Sequence, residues 1–112
     1  MTGRLASWLT AAALIGGCAA TTRPPELAKA ERAYAHAAQD DAGKLAPVDL
    51  EAAHLALDGA ERAFAANDVA AARDMAYIAE RRAQLAEAHA DESRDLQSAA
   101  LQASTTVPEA RP

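Results

Sequence analysis

Few side chains in this sequence could do chemistry. There is one cysteine, Cys18, and there are three histidines, His36, His54 and His89. A lone cysteine cannot close an internal disulfide, so its thiol is either spare or has a chemical task of its own. A zinc pair on a helix needs a second His or Cys four residues on, and none of the three histidines has one. Surface histidines and no metal are therefore expected. No serine, histidine and carboxylate form an arrangement that reads as a nucleophile with its base, and Asp40-Asp41 and Asp91-Glu92 read as solvated acidic faces. There is no glycine-rich phosphate loop. The expectation is a protein that is not an enzyme and binds no cofactor.

Cys18 differs from the other candidates because of what precedes it. The chain opens MTGRLASWLTAAALIGGC, with Arg4 in a short basic start and an apolar run from Leu5 to Ile15 broken only by Ser7 and Thr10. That run falls short of the ~20 residues that cross a bilayer as a helix, and suits the apolar region of a signal peptide. It closes on Leu14-Ile15-Gly16-Gly17-Cys18, which resembles the bacterial lipobox: an aliphatic residue three before the cysteine, then two small residues. Gly16 and Gly17 leave the backbone beside the cut unhindered. The resemblance implies recognition of Leu14, Ile15, Gly16 and Gly17 by a signal peptidase and cleavage before Cys18. It also implies a diacylglycerol thioether on that thiol and an acyl chain, such as palmitate, on the new amine. Several chains on one residue anchor stably where one holds only marginally. Ala19 and Ala20 follow, where an aspartate would mark inner-membrane retention in the enteric pattern. The implied location is the bacterial cell envelope, lipid-anchored to the outer membrane and facing the periplasm.

The composition indicates what is anchored. Of 112 residues 34 are alanine, whereas valine and isoleucine total five, so closely packed helices are expected and a sheet is not. The formal charge of −5 becomes −6 once Arg4 leaves with the leader. Nothing in that balance draws the chain to nucleic acid or to an anionic lipid surface. The expected partners are the membrane, through the lipid, and either an unknown envelope protein or a second copy.

The fold class predicted is all-α: an antiparallel helical hairpin or small three-helix bundle with a long C-terminal helix. The expected order is a signal peptide over 1–17, a lipidated tether over 18–25, a helical domain over 26–103 and a disordered tail over 104–112. Ala19-Ala20-Thr21-Thr22-Arg23-Pro24-Pro25 reads as an extended arm holding the domain roughly 20 Å from the lipid. The first helix runs from Glu26 to Gln39 with Leu27, Ala30, Tyr34 and Ala37 on one face, and ends at Asp40-Asp41-Ala42-Gly43, where Gly43 could take a left-handed stop. The second starts near Pro47 and carries Leu50, Ala53, Leu57, Ala60 and Phe64 at alternating spacings of three and four; Gly59 beside them fits a close crossing. Asn67-Asp68 is the best turn signal, the asparagine left-handed and the aspartate a cap. The third helix spans Val69 to Ala103. Its seam repeats every seven residues, Ala72, Ala79 and Ala86 with Ala76, Ala83 and Ala90, as in coiled-coil packing, and these six alanines are the expected interaction seam. Met75, Ile78 and Leu85 are expected to flank that seam and supply its bulk.

The stretch Ala46 to Ala86, APVDLEAAHLALDGAERAFAANDVAAARDMAYIAERRAQLA, resembles a family of alanine-rich helical envelope lipoproteins carrying a domain of unknown function, sometimes followed by an OmpA-like domain. The shared features are Ala46-Pro47 with Leu50, the Leu57 and Ala60 stripe, the Asn67-Asp68 turn, and Ala72, Ala76 and Glu80. Where the family has glycine–aspartate–aromatic at the turn, this chain has Asn67-Asp68-Val69. The resemblance implies an envelope location and a helical hairpin, and transfers no catalytic residue. The expected function is a membrane-anchored structural or protein-interaction module; the alternative is an accessory subunit of an envelope transport or export complex.

Overall fold

The computed structural model describes residues 21–106. The leader, the lipobox and Cys18 lie outside those residues, as do residues 107–112. The fold is all-α, with α1 (Pro25–Gln39), α2 (Ala42–Leu45), α3 (Pro47–Ala65) and α4 (Val69–Thr106) in order. Helix α4 packs most extensively on α3 and next on α1. Cross-helix pairs fix the directions. Glu26 faces Arg73 and His36 faces Glu87, so α1 runs parallel to α4; Asp49 meets His89, so α3 runs antiparallel to both.

Proline starts both α1 and α3, where a missing N–H costs nothing. The turn between α3 and α4 is built as the sequence predicts. Asn67 has φ 62°, its N–H donates to the Phe64 carbonyl at 3.0 Å, and the Asp68 N–H donates to the Ala63 carbonyl at 2.9 Å. These two bonds close α3 in a Schellman motif. The Asp68 carboxylate then accepts from the Ala71 N–H at 3.0 Å, capping α4. One aspartate thus ends one helix and starts the next.

Alanine makes up most of the core. Ala30, Ala37, Ala53 and Ala60 are fully buried, together with all six seam alanines of α4: Ala72, Ala76, Ala79, Ala83, Ala86 and Ala90. Among the described residues, Leu27 is the one large side chain that is fully buried besides Pro24. Methyl-sized contacts draw the helix axes together, and at Gly59 an added Cβ would stand only 3.0 Å from Met75 Sδ. The glycine marks a close crossing of α3 and α4.

Four expectations need correction. Residues 42–45 form a helical turn rather than a left-handed stop; the Lys44 and Leu45 N–H groups both donate to the Asp41 carbonyl at 2.9 Å, and Gly43 has no positive φ. Met75, Ile78 and Leu85 do not fill the seam: they are 41%, 47% and 44% exposed, because axes this close leave no room for them between helices. Helix α4 continues through Ser104 to Thr106, past the expected end at Ala103. Finally, the last residues of the expected tether are docked: Pro24 is fully buried and Pro25 is the first residue of α1.

Candidate functional site

Two regions of the bundle surface carry more than ordinary solvated polarity. The first is the end formed by the start of α1 and the α3–α4 turn. Arg23 reaches the Glu61 carboxylate at 2.6 and 3.3 Å and also pairs with Glu31. Its guanidinium lies 5.8 Å from the centre of the Phe64 ring, a cation–π distance. The hydrogen bond from Arg23 holds the Glu61 carboxyl below its ordinary range, while Glu31 is pushed up by its own hydrogen bond to Glu61. Two carboxylates share one guanidinium. Thr21 Oγ1 lies 3.4 Å from Asn67 Oδ1, so the segment 21–24 is drawn onto the turn.

Further pairs run up the bundle. His36 binds Glu87, and His89 Nδ1 meets Asp49 at 2.6 Å. Both imidazoles are raised above their ordinary pKa, first through these hydrogen bonds and also through the nearby negative charge. Arg94 ties α4 to Asp41 at 3.2 Å and Asp40 at 3.5 Å, closing the far end over α2. His54 stacks near Tyr34, with ring centres 5.5 Å apart. The three histidines therefore stand at separate places, and among the described residues no three potential ligands converge on a metal position.

The second region is an exposed apolar patch on the outer side of α3. Val48 and Leu55 of α3 are 80% and 59% exposed, and Pro47, Val48, Ala52 and Leu55 line a shallow hollow with Glu51. On α4, Met75, Ile78 and Leu85 are exposed as well. The spacing Val48, Ala52, Leu55 is a helical stripe of its own, legible in sequence but overlooked beside the stronger stripe on α3's buried face. Arg23 had no such signal, since its partner Glu61 lies 38 residues away. The six seam alanines come together in one line facing α1 and α3, so they form the interior of this chain and none is open to another molecule. No helix among the described residues is long and apolar enough to cross a membrane.

The fold and its surfaces define a small helical module whose notable features are faces and clamps. The chain belongs to the DUF4398 family, a domain of unknown function, which matches residues 25–103. That span takes in all four helices almost to the tip of α4. No curated protein and no solved structure matches the chain.

Proposed function

We propose that this chain is the precursor of a lipid-anchored envelope protein, an interaction module without catalytic activity, held at the outer membrane through Cys18. The observation that carries the reading is the Leu14-Ile15-Gly16-Gly17-Cys18 motif at the end of an apolar leader, three residues before the first docked residue, Thr21. With Thr21 to Pro24 folded onto the α3–α4 turn, only Ala19 and Ala20 separate the anchor from the bundle. Three backbone steps reach about 10 Å, half of what a free arm would give. The turn end would therefore stand close to the lipid surface, with the tip of α4 pointing away from it. A role as accessory subunit of a transport or export complex shares this anchor and differs only in the partner.

The test is metabolic palmitate labelling of cells producing the wild-type chain and Cys18→Ser. The expected result is label on the wild type alone, with the variant retaining its leader at higher mass. Labelling of Cys18→Ser to the same extent would refute the anchor.

A further inference from the structure

Residues 21–23 lie on the bundle without being built into it. They belong to no helix, and among the described residues none of their backbone groups bonds to the backbone of the bundle. The first such bond in the segment runs from the Leu27 N–H to the Pro24 carbonyl, at 3.1 Å. Side chains do the holding. Arg23 reaches Glu61 at 2.6 and 3.3 Å, pairs with Glu31, and lies 5.8 Å from the centre of the Phe64 ring. Thr21 Oγ1 reaches Asn67 Oδ1 only at 3.4 Å, long for a hydrogen bond. One residue thus carries most of the hold, and its side chain is 41% exposed. Ion pairs at that exposure are weak and are screened by salt.

Pro24 behaves differently. It is fully buried and stays with the bundle. Its backbone, at φ −63° and ψ 139°, already has the extended form of a free arm, and the residue before a proline is biased the same way. The chain can therefore lift at the Arg23–Pro24 junction without refolding α1. Docked, it leaves three backbone steps between Cys18 and Thr21, about 10 Å; lifted, it leaves six between Cys18 and Pro24, about 20 Å. Lifting also strips Glu31 and Glu61 of the cation they share and leaves two like charges together, so the guanidinium is what favours closure.

We propose that residues 21–23 are a releasable strap, with Arg23 as its catch and Pro24 as its hinge, which sets the bundle at one of two heights above the lipid. The docking rests on contacts among the described residues; the two heights rest on the anchor at Cys18 proposed above.

The test uses the full chain purified from membranes in detergent. Thr21→Cys/Ala88→Cys, both at exposed positions, carries a nitroxide at each thiol, while a lipidated Cys18 takes none. Thr21 is level with the turn, so pulsed dipolar spectroscopy should give one narrow distance near 30 Å, the rise from Asp68 to Ala88. Adding Arg23→Gln should lower the ratio of docked to lifted strap about tenfold and broaden the distribution, as should 1 M salt. Arg23→Glu/Glu61→Arg should bring the narrow peak back. A broad distribution in the parent double variant would overturn the docked strap; a peak unmoved by Arg23→Gln, or not restored by the exchange, would overturn the catch. Height is read in phosphatidylcholine vesicles holding a dansyl-headgroup lipid, by energy transfer from Ala66→Trp at the turn. Trp8 leaves with the leader, so the mature chain has no other tryptophan. Transfer should fall on adding Arg23→Gln, and equal transfer would overturn the two heights. A third nitroxide per chain, on Cys18, would overturn the anchor instead.

Discussion

Replacing Ala79 and Ala83 together by leucine tests the alanine core directly. Both side chains have no exposed surface. Ala79 packs in the cluster with Leu27, Ala30 and Ala60, and Ala83 in the cluster with Ala37 and Ala53. Each substitution pushes three extra carbon atoms between helices whose spacing is set by methyl groups. Overpacking of this kind costs about 1–3 kcal/mol per site. The two sites are one turn apart on the same helix, so the pair should cost about 2–5 kcal/mol rather than a strict sum. Small domains have roughly 5–15 kcal/mol in total, and each kcal/mol moves the midpoint by about 4–8 °C. Thermal unfolding followed by circular dichroism should therefore show a midpoint lower by about 8–40 °C. Ala35→Leu, on an exposed position of α1, should change it by no more than a few degrees. The sign is informative: if α1 and α3 could retreat without loss, two more buried leucines would stabilise by about 5 kcal/mol. An unchanged or raised midpoint would refute the account of a core held at methyl spacing.

Two other outcomes are expected. His36 and His89 have pKa values raised by Glu87 and Asp49, so their contribution is present in full below the ordinary histidine value of about 6.5 and is lost as pH rises through the raised values. Melting at pH 6 and pH 8 should show the lower midpoint at pH 8, and His36→Gln/His89→Gln should shrink that difference; a midpoint that rises over this window would contradict the pairing. At the turn, Asp68→Ala should cost about 1 kcal/mol through loss of the cap, and Asn67→Val about 1–2 kcal/mol through its left-handed backbone, whereas Asn67→Gly should be nearly neutral. Urea titration separates the three, and equal behaviour of the glycine and valine variants would remove the conformational argument.

Much of this fold is written in local pattern. The alanine seam is visible because period and residue size coincide over three repeats, and the turn is visible because Asn67 and Asp68 each supply a distinct backbone service. What pattern does not carry is distance along the chain. Helix α2 is a single turn whose Ala42 is buried beneath the far end of the bundle, where Arg94 reaches Asp40 and Asp41 from more than fifty residues away. Nothing local to residues 42–45 announces it. Arg23 reads as part of a spacer until Glu31 and Glu61 are placed beside it. Met75, Ile78 and Leu85 show a different failure. Their spacing correctly puts them next to the seam, but only the approach of the axes decides whether a flanking side chain turns inward or outward. The lipobox is wholly a matter of sequence, and the helices neither add to it nor detract from it.

A core made of identical methyl groups has a further property, which concerns phase. Ala30 and Ala37 of α1 are seven residues apart, the same interval that separates the alanines of α4. Slid one repeat along α4, about 10 Å, Ala30 and Ala37 would again set methyl against methyl, so these alanines alone work like a ruler with evenly spaced and unlabelled marks. The labels are Leu27, the bulky buried side chain of α1, and a set of ion pairs. Glu26 with Arg73, His36 with Glu87, and Asp40 and Asp41 with Arg94 each pick out one alignment of α1, and the Arg23 clamp fixes its zero point against α3. Surface ion pairs of this sort add little to stability. Here they act as an address, telling one interchangeable notch from the next.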